Sequence, residues 1–283
     1  MIPDAARAPA AASPPPRLAA AEIFQTARAL VGRDLKVLIQ DGPAYLLRVV
    51  LQPALFAFVF AFVFPRIGQG IGGARNTVAF ISILLPGLMA NTLMFQGVTA
   101  VALPLVTEFS YSKEIEDRVM APVPVRMVAL CKVLSGALQS MVASLLDLPA
   151  VWLASGCVAR VDWSHPLRLA TMLPLGALVG AALGLAMGTV IPPQRINFLF
   201  ALLLLPLTLL GCVYYPWAAL TALPWLRIVT LLNPVVYISE GLRSALSPQI
   251  PHMPVGWIYA FLGAALAVLL AVGLRSFERR VLS

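Results

Sequence analysis

Charged side chains are scarce in this chain. Asp, Glu, Lys and Arg make up 11% of its 283 residues, 60% are hydrophobic, and the mean hydropathy is +0.89. Soluble domains carry about 25% charged and about 45–50% apolar residues. Thirty-two charges spread over this length leave long uncharged tracts, which excludes a soluble single domain and makes lipid the solvent for most of the chain.

Other shortages exclude particular chemistries. The three lysines, Lys36, Lys113 and Lys132, follow Leu35, Ser112 and Cys131, so no Gly-Lys-Ser/Thr phosphate loop exists and the chain does not cradle ATP in that way. The two histidines, His165 and His252, stand in separate segments without an H-E-x-x-H spacing, which leaves metal-assisted hydrolysis without support. Asp41-Gly42 alone is not the repeated-Asp pattern of a membrane phosphotransferase. Cys131, Cys157 and Cys212 are isolated and odd in number, so neither a disulfide framework nor a zinc site is indicated. No catalytic residue, cofactor ligand or metal ligand emerges.

The basic residues give a net charge of +8 but no stripe for nucleic acid, and no nucleic-acid partner is expected. They gather instead at the edges of apolar tracts, as in membrane flanks. Residues 1–21 are rich in Ala and Pro, with Arg7 and Arg17 interrupting any signal-peptide core, and read as a disordered cytoplasmic tail. From Glu22 the period becomes helical, with Ile23, Phe24, Ala27, Leu30, Val31, Leu35 and Leu38 opposite Gln25, Arg33, Lys36 and Gln40. Residues 22–43 are therefore expected as an amphipathic helix lying on the membrane or packed on protein.

A crossing helix needs about 20 mainly apolar residues. Six stretches qualify, near Ala44–Phe64, Thr77–Leu103, Met127–Ala154, Leu169–Ile191, Asn197–Trp217 and Val255–Leu274. With a cytoplasmic N-terminus the inner segments hold twelve basic residues and the outer ones six, which puts both termini in the cytoplasm. Arg48 and Lys132, just inside the inner ends of spans one and three, have stems long enough to snorkel. Between spans five and six, the pieces Leu220–Leu232 and Val235–Leu246 are too short to cross and are expected as a re-entrant or interfacial pair on the outer side. The fold class is thus all-α integral membrane, with a membrane domain over 44–275 and a cytoplasmic tail at 276–283.

Several residues stand out. Gly176, Gly180, Gly184 and Gly188 recur every four residues in span four and let another backbone approach. Thr92, Gln96 and Thr99 form a polar stripe on span two, for hydrogen bonding between helices or for facing a substrate. Asp147, near the outer end of span three and two residues before Pro149, either borders an aqueous path or holds helices together. The polar segment Glu108–Pro124 sets Glu108, Glu114, Glu116 and Asp117 against Lys113 and Arg118, with apolar Phe109, Tyr111, Ile115, Val119 and Met120. It reads as an acidic helix that docks on a soluble partner, or as a solvated loop. Asn233-Pro234 favours a helix start, and Glu240 and Arg243 share a face of that helix, giving at least a local ion pair.

The run Lys113–Pro124 resembles the cytoplasmic helix that follows the second span in ABC-transporter permeases of the type 2 export class. Asn233-Pro234-Val235-Val236-Tyr237-Ile238-Ser239-Glu240-Gly241-Leu242-Arg243 resembles the N-P-x5-E-x-x-R stretch between their spans five and six. The resemblance extends from Arg33-Asp34-Leu35-Lys36 to the last span. It implies a permease subunit in a bacterial inner membrane, paired with a second copy or a related chain, and a separate ATPase that binds the ATP and magnesium. It also implies that Lys113, Glu114, Ile115, Glu116, Asp117 and Arg118 dock that ATPase, with Pro192-Pro193-Gln194-Arg195 as a second contact. Glu240 and Arg243 then shape the outer exit, and Thr92, Gln96 and Asp147 are pathway candidates. An amphiphilic drug, lipid or glycan is the expected cargo. An intramembrane enzyme acting on lipid and a passive channel are the alternatives, the first lacking a catalytic constellation and the second having no need of a docking helix.

Overall fold

The computed structural model describes residues 42–63, 77–108, 125–156, 161–191 and 195–282, together with Gly32 and Lys36. The tail at 1–21, nearly all of the expected interfacial helix, the docking run Lys113–Arg118 and the contact Pro192–Gln194 lie outside the described residues.

The described elements are helical: α1 (Gly42–Phe58) with a π-helical continuation (Val59–Val63), α2 (Thr77–Thr107), α3 (Val125–Ala154), α4 (Pro166–Val190), α5 (Ile196–Leu209), a 3-10 turn (Trp217–Ala222), α6 (Pro224–Thr230), α7 (Pro234–Leu246) and α8 (Val255–Leu282). Among the described residues four stretches are long and apolar enough to cross a membrane: Phe80–Thr107, Arg126–Ala154, Pro166–Val190 and Val255–Arg280. One end of the bundle, here called proximal, gathers Thr107, Val125, Val190 and Leu282; the distal end gathers the 3-10 turn, α6 and the loop before α8. All five tryptophans, Trp152, Trp163, Trp217, Trp225 and Trp257, lie at the distal end.

Close packing of α4 on α2 forms the centre. A Cβ added to Gly180 would lie 2.8 Å from the Leu93 carbonyl oxygen, and one added to Gly188 would lie 3.0 Å from Ala102 Cα. Gly97 of α2 returns the contact, a Cβ there lying 2.9 Å from the Ala181 amide nitrogen. Without a hydrophobic drive between helices in lipid, this backbone-to-backbone packing supplies association. Around it lie the buried Leu84, Met89, Leu93, Leu105, Met172 and Leu185, while Leu47, Leu153, Leu202 and Val268 face outward, as lipid contact requires.

Each of α1 to α5 carries an internal proline, tolerated because other groups take up the freed backbone. Pro86 removes the amide that would bond Ser82, and Ser247 Oγ donates to that carbonyl at 2.8 Å instead.

Four expectations differ from the structure. The fifth apolar stretch forms a helix only to Leu209, not to Trp217, since Pro206 weakens its last turn and Cys212 adopts a left-handed φ of 51°. The piece Leu220–Leu232 is divided at Leu223, whose φ of −129° and ψ of 76° end the 3-10 turn before Pro224 starts α6. Residues 276–282, expected as a tail, continue α8, which gives it 28 residues and about 42 Å. Lys132 does not snorkel to water: it is 8% exposed and pairs with Glu108 at the end of α2.

Candidate functional site

The most connected polar group lies on α7. Asn233 starts this helix by accepting from the Val235 amide at 2.9 Å, with Pro234 in the first turn where no amide donor is needed. Its Nδ2 donates to the Leu207 carbonyl at 2.8 Å, one of the four acceptors that the end of α5 leaves open. Every residue from Val235 to Leu246 is buried.

Within that helix Glu240 and Arg243 are both 0% exposed and form an ion pair. Glu240 Oε1 also accepts from the Trp217 amide at 2.9 Å, and Oε2 from the Met253 amide at 3.0 Å. Arg243 Nη2 donates to the Cys212 carbonyl at 3.1 Å and more weakly to Ile83 at 3.4 Å. The pair therefore joins α2, the turn after α5, the 3-10 turn and the loop before α8. Desolvating two charges costs several kcal/mol per ion, which these bonds offset; among the described residues only Arg243 Nε of the pair meets no acceptor. Ser239 Oγ adds a bond to the Gly211 carbonyl at 3.1 Å. The same turn sits on α2 beside Pro86, where a Cβ at Gly87 would fall 2.0 Å from the Val213 carbonyl oxygen. At the rim, Arg227 stacks over Trp217 at 3.9 Å, and the indole nitrogen donates to the Arg227 carbonyl.

Asp147 is 0% exposed in α3, and among the described residues neither carboxyl oxygen meets a donor in hydrogen-bond geometry. Thr92 of α2 and Tyr45 of α1 are the polar groups on its side; the Tyr45 hydroxyl donates to the Gln139 carbonyl at 3.0 Å. Ser144, one turn earlier, ties α3 to the Met89 carbonyl at 3.2 Å. The polar stripe of span two divides accordingly. Thr92 turns toward Asp147, Thr99 bonds back to Phe95 and Gln96 of its own helix, and Gln96 is half-buried.

The sequence-predicted residues thus form two places rather than one. Glu240 meets Arg243, Thr92 meets Asp147, and Ile83 lies nine residues before Thr92 on α2, about 14 Å along the axis. Gln96 belongs to neither. A residue missed from the sequence is Asn91, whose buried Oδ1 has no donor. It lines a groove of about 530 Å³ between α1, α2 and α5, with Phe56, Phe95, Phe200 and Tyr214. Its only signal was adjacency to Thr92. A second, apolar groove of about 480 Å³ runs between α1 and α3 beside Pro149. Among the described residues no group of three or more His, Cys, Asp or Glu is placed to hold a metal.

Outside the spans, Asp162 Oδ1 accepts from the Ser164 amide at 2.9 Å, and Oδ2 from Gln249 at 2.6 Å. The Ser164 amide holds this carboxyl below the usual Asp range.

Long apolar helices, glycine-mediated packing and a buried ion pair inside the bundle define a multi-pass helical membrane protein. The sequence model of the ABC-2 type transporter family matches residues 25–247, and the chain belongs to that family. It is accordingly a transmembrane permease component of ABC transporters, a family that works with an ABC ATPase, and is not itself the catalytic subunit. The comparison with curated proteins returned no match.

Proposed function

We propose that the chain is the permease subunit of an ATP-driven exporter that moves an amphiphilic drug, lipid or glycan outward. The family match over residues 25–247 carries this reading. The proximal end is cytoplasmic, in keeping with the sequence count of twelve basic residues in the inner segments against six in the outer ones. α1 and α5, with their flanking residues, complete six crossings in a bacterial inner membrane. A second copy or a related chain completes the path, and a separate ATPase with ATP and magnesium supplies the energy.

In this mechanism, closure of the ATPase pushes on the segment holding Lys113, Glu114, Ile115, Glu116, Asp117 and Arg118, with a second contact at Pro192–Arg195. The spans tilt as rigid bodies and open a path outward. Thr92, Gln96 and Asp147 are its lining candidates, and the aromatic groove with Asn91 supports an amphiphilic cargo. The Glu240–Arg243 pair gates the exit, since four segments at that end depend on it.

Mild-detergent purification of the tagged chain from its own cell tests the assignment. A Walker-motif ATPase in equal amount, released by Glu116→Lys with Asp117→Lys, is the expected result. Absence of any ATPase under conditions that preserve other ABC complexes would overturn it and reopen the channel and enzyme readings.

A further inference from the structure

Two side chains near the end of α8 reach in different directions. The Glu278 carboxylate pairs with Arg126 in the first turn of α3, through Nε to Oε1 and through Nη2 to Oε2 at 3.2 Å. Arg280 Nη1 donates to the carbonyls of Gly188, Thr189 and Ile191 at 3.2, 3.1 and 3.3 Å. Gly188 and Thr189 belong to the last turn of α4, where helix geometry leaves carbonyls without amide partners and the helix dipole favours a cation.

Positions two apart on a helix are separated by about 200° of rotation. Glu278 and Arg280 therefore lie on nearly opposite faces, and the end of α8 holds α3 on one side and α4 on the other. Arg126 comes directly after the connection 109–124, and Ile191 comes directly before the connection 192–195. These are the two connections on which the ATPase acts in the function proposed above, and the purpose given to the tie rests on that reading.

We infer that Glu278 and Arg280 are positioning residues that make the end of α8 a strap between the two connections, so that a displacement of either one reaches the other. The strap is distinct from direct packing of α3 on α4, which occurs higher in the bundle, where a Cβ on Gly136 would meet the Ala181 Cβ at 3.7 Å. An exposed ion pair alone stabilises little, Arg126 being 68% exposed. Its part is to fix direction.

Hydrogen–deuterium exchange on the whole permease in lipid nanodiscs tests the tie without needing the ATPase. Arg280→Gln is expected to raise exchange severalfold at 185–191, whose carbonyls Arg280 bonds, and also at 129–134 of α3, one turn beyond Arg126. The distant effect should vanish in a Glu278→Gln background, and Arg280→Lys, which keeps a donor, should give a smaller rise at both places. Unchanged exchange over 235–246 verifies that the variants are folded. A rise confined to 185–191, or one at 129–134 that persists in the Glu278→Gln background, would overturn the strap. With the ATPase bound, Arg126→Gln and Arg280→Gln should lower turnover less than multiplicatively when combined, because they cut one strap. The expected exchange effects in the variants, with no ATPase co-purifying, would count against the functional reading and leave the strap standing.

Discussion

Gly184 of α4 lies so close to Val98 of α2 that a Cβ on the glycine would come within 2.7 Å of the Val98 carbonyl oxygen. No rotamer change relieves such a contact, because the atom that would have to move is backbone.

Gly184→Ala should therefore destabilise the protein by about 1–3 kcal/mol through overpacking, although Ala favours a helix over Gly by about 1 kcal/mol. Gly263→Ala in α8 is the control, since its added Cβ has nothing within 4 Å. It should be neutral or mildly stabilising. Thermal unfolding in detergent compares the two, and a Gly184→Ala as stable as Gly263→Ala would refute the close-packing account.

Glu240→Gln removes the counter-charge of a fully buried arginine. The expected loss is about 3–5 kcal/mol, with membrane insertion retained and export impaired. Combining it with Arg243→Met should cost less than the two single changes added together, because the uncompensated charge disappears. Unfolding of the four proteins, run as a double-mutant cycle, measures this; strict additivity would show that the two side chains do not depend on each other.

Asn233→Ala loses a helix cap and also leaves the Leu207 carbonyl unpaired. The cap alone is worth about 1 kcal/mol, and the buried acceptor adds about 1–3 kcal/mol. Asn233→Asp keeps the cap but not the donor, so it should fall between wild type and Ala in a thermal shift assay. Equal stability of Asp and Ala would place the whole effect in the Leu207 bond.

Acid should loosen the distal loop late. Asp162 has its carboxyl lowered by the Ser164 amide, so its folded value lies below the unfolded one. Its contribution is then complete above the unfolded value of about 3.9 and is lost as pH falls through the lower folded value. Limited proteolysis at 161–165 and 247–253 should stay slow at pH 5 and accelerate only below about pH 4. In Asp162→Asn cleavage should not change with pH over that range. Acceleration already between pH 5 and 6 would contradict the stated direction.

Much of the frame was readable from side-chain type and spacing. Glycines four apart on one face can only serve close packing, and Gly176 to Gly188 do so. Asn233-Pro234 marked a helix start, and Glu240 with Arg243 lay one turn apart. The partners of that pair were not readable, because Trp217, Met253, Cys212 and Ile83 contribute backbone atoms, and backbone carries no sequence signal. The end of α5 is hidden in the sequence for a related reason: apolarity continues through Val213 while the geometry changes at Pro206 and Cys212. Lys132 and Glu108 are separated by 24 residues, a distance at which charge pattern along one chain says nothing about pairing. Asp147 was recognisable as exceptional, but its company of Thr92 and Tyr45 needed three helices in register.

The gathering of every indole at the distal end gives the protein a built-in optical label for one membrane face. Emission from Trp152, Trp163, Trp217, Trp225 and Trp257 arises from a single rim, and the proximal half contributes nothing to it. In sealed vesicles, iodide added outside therefore reports how many molecules present that rim to the bath, without a tag or an introduced dye.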